Sequence, residues 1–304
     1  MFKYHLWALL IGTILDFIFG RIYSIWNPFD SIKKLVKHLD RALLGDELIL
    51  LEPAKQRSLG MWLIIIVLVP VFATVTFFNL LFYDIAPWLG VLFEAFATYL
   101  CIDGKYLYYG AKGVMADYYG CGIREMKHSY ELFSGRESKG EDESEVTAET
   151  ISYLANETSD GLISPLVIML LFGPVGGFLY RSIDIIDQVV GYKNSRYLHF
   201  GYYGAKLSWA VSYWPARFSG ALTVFAARYT FGDFHGRNAR YIHLRDGVKA
   251  ISAFAGALGI ALKDKTVGDM DKEPEACDIR KAIGLMRNDF LLMQLIIVIL
   301  LLIF

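Results

Sequence analysis

The amino-acid composition separates this chain from ordinary soluble enzymes. Of its 304 residues, 55% are hydrophobic and only 20% are charged, whereas soluble domains average about 45–50% apolar and about 25% charged residues. We therefore predict that much of the apolar surface faces a lipid bilayer. The net charge of −1 and the lack of a basic stripe interleaved with aromatic residues exclude a nucleic-acid-binding protein. The three cysteines have neither the spacing of a disulfide framework nor that of a zinc site.

The first half of the chain contains three predicted membrane helices. Leu6 to Phe19 includes Asp16 and lacks a small-residue cleavage site, so we interpret it as a retained helix rather than a removed signal peptide. Gly60 to Phe82 contains no charged residue and is long enough, at about 1.5 Å per residue, to cross a hydrocarbon core of roughly 30 Å. Trp88 to Ile102 is apolar and interrupted only by Glu94. Together with the segment from Gly60 to Phe82, it predicts a transmembrane hairpin.

The second half is less regular. Residues 162–180 are apolar but contain Ser-Pro, Gly-Pro and Gly-Gly pairs, which predict a kinked or re-entrant segment. Residues 208–231 carry two arginines and a proline, which favours a helix buried against protein or lying at the membrane interface. The small-residue run 247–262 predicts a closely packed helix, and 290–304 predicts a C-terminal membrane helix. The acidic stretch 134–149 is predicted to be solvated, as a linker or an exposed helix start.

These patterns predict one all-α domain over 1–304, a polytopic membrane bundle with about four to six membrane segments. With only the four continuous spans, the loop from Arg21 to Ser58 and the segment 103–289 share one side of the membrane. That side carries most of the lysines and arginines and is therefore expected to be cytoplasmic. If 162–180 and 208–231 both cross, residues 181–207 face the opposite side instead. Glu94 and Asp16 are expected to pair with basic groups inside the bundle, or alternatively to line a polar path.

Two polar segments flank the broken apolar run and carry the candidate chemistry. They read NETSDGLISP, from Asn156 to Pro165, and DQVVGYKNSRYLHFG, from Asp187 to Gly201. Ionisable groups beside membrane segments are costly and usually face a partner, a cavity or water. The donors of Lys193, Asn194 and Arg196 suit a phosphate or carboxylate, and the carboxylates of Asp160 and Asp187 suit Mg²⁺. The alternative is that these groups only cap helices and extend to lipid headgroups. The chain contains no Walker-type phosphate loop.

The same segments resemble the CobD/CbiB family of membrane-bound adenosylcobinamide-phosphate synthases. The stretch beginning SGRES and continuing to NETSDGLISPL is similar to the family's GRDT segment followed by AENTSDGxxxPL. Further along, IDQVVGYKNSRYLHFG resembles LDSMVGYKNxRYxxFG, SYWPARFSG resembles WIPARLTA, and AFAGALGIAL resembles AMAGALGV. With the N-terminal LDFIFG and the apolar hairpin, the resemblance covers almost the whole chain.

The resemblance implies an enzyme of cobalamin biosynthesis in the plasma membrane, with its polar loops in the cytoplasm. The implied reaction joins a carboxylate of a corrinoid substrate, adenosylcobyric acid, to aminopropanol or its phosphate, with ATP and Mg²⁺. By position, Asp160 and Asp187 become the catalytic and metal-binding carboxylates. The implied substrate- or phosphate-binding residues are Lys193, Asn194, Arg196, Asn156, Glu157 and Ser164. The implied partners, besides the lipid bilayer, are other membrane proteins of the pathway.

Several positions depart from the family pattern and leave other functions open. The family's Glu-Asn pair is reversed as Asn156-Glu157, and its HPSPNAGWPE block is replaced by Ile242 to Ile251. The main alternative is therefore a non-catalytic membrane relative, a sensor or assembly protein similar to the AmpE proteins. A transporter predicts inverted repeats with broken helices in both halves, and only the second half has such breaks.

Overall fold

The fold is all-α, as predicted, in a computed structural model that describes residues 2–21, 26–45, 52–192, 194–232, 234, 249–262, 267–268 and 272–303. The helices are α1 Phe2–Phe19, α2 Pro28–Leu44, α3 Pro53–Ile85, α4 Pro87–Cys101, α5 Gly104–Cys121, α6 Ile123–Ser134, α7 Glu143–Glu157, a π-helix Thr158–Ile163, α8 Ser164–Val190, α9 Tyr202–Tyr229, α10 Lys249–Leu258 and α11 Ala276–Ile303. Among the described residues, one antiparallel pair joins β1 Ala261–Leu262 to β2 Val267–Gly268.

Four helical stretches within the described residues are long and apolar enough to cross a membrane, which makes this a membrane protein. They are Phe2–Phe19, Pro53–Ile85, the continuous stretch Glu143–Val190, and Ala276–Ile303. The predicted segments 6–19 and 60–82 lie inside α1 and α3, and the described part of 290–304 lies inside α11. The predicted segment 88–102 corresponds to α4, whose 15 residues extend about 22 Å, less than the thickness of the hydrocarbon core.

The predicted hairpin is formed by α3 and α4. Ala86 is extended (φ −164°, ψ 139°), and Pro87 begins α4, where its missing N–H has no cost. A side chain at Gly90 would overlap the ring of Tyr83, so the two helices approach closely because this position is glycine. A side chain at Gly12 would likewise overlap Thr98, and α1 therefore lies tightly against α4.

Two of the polar connecting segments contain helix. The connection from Arg21 to Ser58 contains α2, whose N-cap Asn27 accepts a hydrogen bond from the backbone N–H of Phe29 at 2.9 Å. In the stretch 134–149, Asp142 caps α7 by accepting from the N–H of Glu145 at 2.8 Å. The stretch 134–149 thus leads from a largely exposed connection into α7, in which Val146 and Thr147 are fully buried.

The predicted break in 162–180 is present as a kink inside α8. Gly173 has a positive φ (φ 65°, ψ −164°), and Pro174 follows it without a backbone N–H. The predicted helix 247–262 is wrong at its C-terminal end, because α10 stops at Leu258 and Gly259 again has a positive φ of 63°. The chain then enters β1 instead of continuing the helix.

The contacts divide the chain into two compact units. Unit 1 comprises Met1–Leu15, Ile22–Ile102 and Pro165–Tyr213, and unit 2 comprises Asp16–Arg21, Asp103–Ser164 and Trp214–Phe304. Leu6, Leu9 and Leu63 are fully buried in unit 1. Met126, Leu154 and Phe254 are fully buried in unit 2. The single-domain prediction for 1–304 stays a prediction.

Candidate functional site

The TSDG motif of unit 2 adopts a π-helix between α7 and α8. The N–H of Ser164 donates to the carbonyl of Ser159, five residues earlier. Such turns are rare, and they are often found at functional sites because the inserted residue redirects the neighbouring side chains. The hydroxyl groups of Ser159 and Ser164 are buried and have no hydrogen-bond partner among the described residues. Asp160 lies half-buried in the same turn.

The π-helix meets the first turn of α5 and the last turn of α1. The N–H of Asp103 donates to the carbonyl of Gly161 at 3.3 Å. The buried carboxylate of Asp16 accepts from the N–H of Lys105 at 3.1 Å and so caps the N-terminus of α5. A side chain at Gly104 would lie 2.8 Å from Oδ2 of Asp16 and 3.2 Å from Cδ1 of Leu162. Three segments distant in sequence therefore converge here because residue 104 is a glycine.

A cavity of about 500 Å³ lies in the same unit, along one side of α7. Its lining residues come from the α6–α7 connection, from α7 and from the region around α10 and β1. They include Tyr130, Arg136, Lys139, Ser152, Tyr153 and Asn156. The size suits a small molecule or a nucleotide, since pockets for drug-sized ligands measure about 300–1,000 Å³. A complete corrinoid is larger than such ligands.

The charged side chains that line this cavity differ in how many hydrogen bonds and ion pairs they form. Both carboxylate oxygens of Glu149 accept hydrogen bonds from the preceding loop, one from Ser138 Oγ at 2.7 Å and one from the N–H of Lys139 at 3.0 Å. Arg136 lies over the ring of Tyr153, 5.6 Å from its centre. The Arg136 and Lys139 side chains form no ion pair with any residue that the structure describes. The cavity therefore presents two cations, the carboxylate of Glu145, which accepts from the N–H of Glu141 at 2.7 Å, and the buried hydroxyl group of Ser152.

Tyr153 links the cavity to charged groups at the end of α7 and the start of α5. Its hydroxyl group interacts electrostatically with Arg136, which lines the cavity, and with Glu157 and Asp103. Asn156 also lines the cavity. Four predicted residues, Asn156, Glu157, Asp160 and Ser164, thus lie on one continuous helical segment of unit 2.

Sequence reasoning missed the two cavity cations, Arg136 and Lys139. The available signal was the pair of basic residues in GRESKG, between two glycines and directly before an acidic helix start. Asp103 was also missed. It lies at the end of an apolar segment, and its proximity to the TSDG turn depends on a contact between residues distant in sequence.

The remaining predicted residues lie in unit 1. The carboxylate of Asp187 accepts a hydrogen bond from Ser208 of α9, and Gly191 N–H donates to the Asp187 backbone carbonyl at 2.8 Å. The Asn194 side chain accepts from the N–H of Tyr197 at 2.9 Å and closes the turn after α8. Lys193 lies outside the described residues.

Arg196 is anchored by α2. One of its terminal nitrogens, Nη2, donates to the carbonyl of Gly45 at 2.7 Å and lies 3.3 Å from Oδ1 of Asp40. Tyr197 donates its hydroxyl group to the other oxygen of Asp40 at 3.0 Å. Burial, together with this hydrogen bond to Asp40, raises the pKa of Tyr197. Asp40 was not singled out from the sequence, although an acid on the apolar stripe of an amphipathic helix was the signal that marks it.

The predicted magnesium and anion sites stay predictions. Asp160 belongs to unit 2 and Asp187 to unit 1. Within the described ranges, no group of three or more histidine, cysteine, aspartate or glutamate side chains is arranged to hold a metal ion.

The membrane-spanning helices and the buried polar turn define a polytopic helical membrane protein. A family model described as "CobD/Cbib protein" matches residues 9–286. The chain therefore belongs to the CobD/CbiB family. No solved structure matches it.

Curated relatives match over nearly the full length of both chains. A cobalamin biosynthesis protein CobD of Geobacter metallireducens is 28% identical over 306 residues, which cover 92% of this chain and 91% of the relative. A CobD of Clostridium perfringens is 27% identical and covers 90% of each chain. A CobD of Brucella melitensis is 29% identical over 84% of this chain and 80% of the relative.

Proposed function

We propose that this protein acts in cobalamin biosynthesis by ATP-dependent amide ligation, joining adenosylcobyric acid to aminopropanol or aminopropanol phosphate. The observation that carries the proposal is the TSDG π-helix beside a cavity with two cations that make no ion pair among the described residues. Family membership and the names of the relatives support the pathway. The cavity cations support a phosphate-bearing ligand, because arginine and lysine are the usual phosphate-binding side chains.

The reaction needs an activated carboxylate. A carboxylate is a poor electrophile, so transfer of the γ-phosphoryl group of ATP to its oxygen gives an acyl phosphate and ADP. The amine then attacks the acyl carbon, the amide bond forms, and phosphate leaves with the former carboxylate oxygen. Both steps develop negative charge on phosphate oxygens, and fixed cations stabilise that charge.

We assign Arg136 and Lys139 to the phosphate groups and Asp160 to the metal-bound side of the nucleotide. Mg²⁺ is usually held by one or two carboxylates together with substrate phosphates rather than by an all-protein cage. A half-buried carboxylate in the π-helix fits that requirement. When bound, the ion neutralises phosphate charge. Asp187 remains the proposed second carboxylate, and Lys193, Asn194 and Arg196 remain the proposed anion-binding residues of unit 1.

The alternative function is that of a non-catalytic family member with a sensing or assembly role. The internal contacts of the GYKNSRY segment favour it, because Arg196 is already bound to Asp40 and Asn194 closes a local turn. The altered block Ile242 to Ile251 favours it as well; its first seven residues lie outside the described residues.

Complementation separates the two functions. The chain is expressed in a cobalamin-producing bacterium that lacks its own synthase, and corrinoid-dependent growth on cobyric acid is scored. Ligation predicts growth with the wild type and with the exposed-site control Lys112→Gln. It also predicts no growth with Asp160→Asn or Asp187→Asn at matched membrane abundance. If the wild type is present in the membrane and growth fails, the non-catalytic alternative is supported instead.

We also propose that the protein lies in the plasma membrane with its polar segments in the cytoplasm. The excess of lysine and arginine in the segments 21–58 and 103–289 supports this orientation. Cys121 and Cys277 are exposed, and Cys101 is buried. A membrane-impermeant thiol reagent should therefore leave intact spheroplasts unlabelled and label inverted vesicles. Labelling of intact spheroplasts would reverse the orientation.

A further inference from the structure

The outward face of α2 is strongly basic. Lys33, Lys34, Lys37 and Arg41 are all exposed, and Asp30 is the only exposed acid on this described helix. At about 100° per residue, the four cations fall within an arc of about 100°. The buried residues Phe29, Ile32, Val36, Asp40 and Leu44 occupy the adjoining side of the helix, and Asp30 falls within the same arc as the cations. The exposed cations therefore flank the side of α2 that is buried in unit 1.

α2 is held against the polar ends of membrane helices. It contacts α3, and the ring of Phe29 lies 4.9 Å from that of Phe178 in α8. The part of α8 that follows Phe178 contains Arg181 and Asp184, which form an ion pair at 3.6 Å. The eight residues 45–52 that join α2 to α3 can extend at most about 28 Å. The basic face is therefore confined near the end of the α3 span.

The start of the α3 span and the exposed side chains around it indicate where the membrane boundary lies. The predicted membrane span of α3 begins at Gly60, where a side chain would overlap the carbonyl of Phe200. On either side of Phe200 in the chain, Leu198 is 55% exposed and Tyr202 is 42% exposed. Trp26, immediately before α2, is 73% exposed and donates from its indole N–H to Ser31 at 2.8 Å. Exposed aromatic residues with one polar edge are typical of the headgroup region.

The first turns of α3 contribute one more exposed cation. Arg57, in the second turn of α3, is exposed and lies over the ring of Tyr202, 4.9 Å from its centre. The basic face of α2 thus continues across the start of α3 to the exposed aromatic residues.

We propose that this basic face, Lys33, Lys34, Lys37 and Arg41, binds the headgroups of anionic phospholipids around unit 1. The arguments are the charge complementarity, the position beside the start of the α3 span, and the nearby exposed aromatic residues Trp26 and Tyr202. Each lysine or arginine near an anionic membrane surface adds an attraction that acts within a Debye length. Anionic lipid is therefore enriched around α2 relative to zwitterionic lipid.

Fluorescence quenching in proteoliposomes tests this enrichment. Leu35 is 40% exposed on the same helix, so a bimane is attached at Leu35→Cys in the full chain carrying Cys121→Ser and Cys277→Ser. Phosphatidylcholine vesicles receive equal fractions of phosphatidylglycerol or phosphatidylcholine, each spin-labelled near its headgroup. We expect the anionic label to quench at least about twofold more strongly, and this preference should disappear at high salt.

Two variants identify the cause. The triple variant Lys33→Gln, Lys34→Gln, Lys37→Gln should quench equally with both labels. The matched control Lys112→Gln, Arg124→Gln, Arg280→Gln removes three cations that are exposed elsewhere and should keep the preference. Equal quenching of the unsubstituted face by the two labels would overturn the proposal. Loss of the preference on addition of millimolar inorganic phosphate at constant ionic strength would also overturn it, in favour of a soluble anion.

Discussion

His5 of α1 lies 2.5 Å from Glu94 of α4, measured from Nδ1 to Oε1. The other ring nitrogen of His5 lies 3.3 Å from the carbonyl of Leu170 in α8. A carbonyl only accepts, so Nε2 carries a proton. In an unbroken α-helix that carbonyl would accept from residue 174, which is a proline without an N–H. His5 therefore replaces the hydrogen bond lost at the kink.

Glu94 lies near the part of α8 that begins after the kink. A side chain at Gly173 would lie 3.5 Å from Oε1 of Glu94, so the carboxylate is close to the N-terminal end of the second half of α8, where negative charge is favoured. Tyr83 donates to the second carboxylate oxygen at 2.7 Å. The expectation that Glu94 pairs with a basic group inside the bundle is confirmed.

Removing His5 should destabilise the protein. We expect His5→Ala to lower the free energy of unfolding by about 1–3 kcal/mol, because Oε1 of Glu94 and the carbonyl of Leu170 both lose their contact with the imidazole ring. The measurement is a denaturation midpoint in detergent. The control is His128→Ala, at an exposed histidine. The double variant with Glu94→Gln should cost less than the sum of the single changes, and strict additivity would contradict the pairing.

Gly104 provides a test of the contact between α1, α5 and the π-helix. Gly104→Ala places a Cβ 2.8 Å from the Asp16 carboxylate and should displace the cap of α5, with a loss of about 1–3 kcal/mol. Gly113 in the same helix has no neighbour within 4 Å of an added Cβ. Gly113→Ala should therefore leave stability unchanged or raise it by about 0.5–1 kcal/mol. Equal thermal midpoints for the two variants would show that the tight contact at residue 104 is unimportant.

Asp40 should be required for the order of the GYKNSRY turn. Asp40→Asn removes the charge that holds Arg196 and weakens the contact with Tyr197, and we expect a loss of about 1–3 kcal/mol. Limited proteolysis of the turn after α8 should become faster. Asp30→Asn, at an exposed acid in the first turn of the same helix, is the control and should have little effect. Unchanged proteolysis of the Asp40 variant would show that the turn holds its conformation without α2.

The cavity cations should control the affinity for phosphate-bearing ligands. Arg136→Gln and Lys139→Gln should each weaken binding of ATP or aminopropanol phosphate by about tenfold, equivalent to about 1.4 kcal/mol. Calorimetric titration of the purified protein measures this, with Lys112→Gln as the control. Unchanged affinity in both cavity variants would move the phosphate site away from this cavity. The thermal midpoint of each variant should stay near that of the wild type, because both side chains are exposed.

Local and compositional features were readable from the sequence. The uncharged run from Gly60 to Phe82 must be sheltered from water, so it identifies a membrane helix without further information. Pro87 and Gly173-Pro174 act through their own backbones, and the hairpin and the kink in α8 were predicted for that reason. The TSDG and GYKNSRY motifs identified the family because they are contiguous in sequence.

Only the tertiary structure decided which distant residues meet. His5 and Glu94, Asp40 and Arg196, and Asp103 and Gly161 are each separated by dozens of residues, and no local pattern encodes their distances. The helix α2 was predicted as a loop because its short apolar stripe gains stability only by burial against α3 and α8. The cavity beside α7 likewise depends on tertiary packing. Its cations come from a polar loop, and the surface that makes them a site exists only after the helices pack.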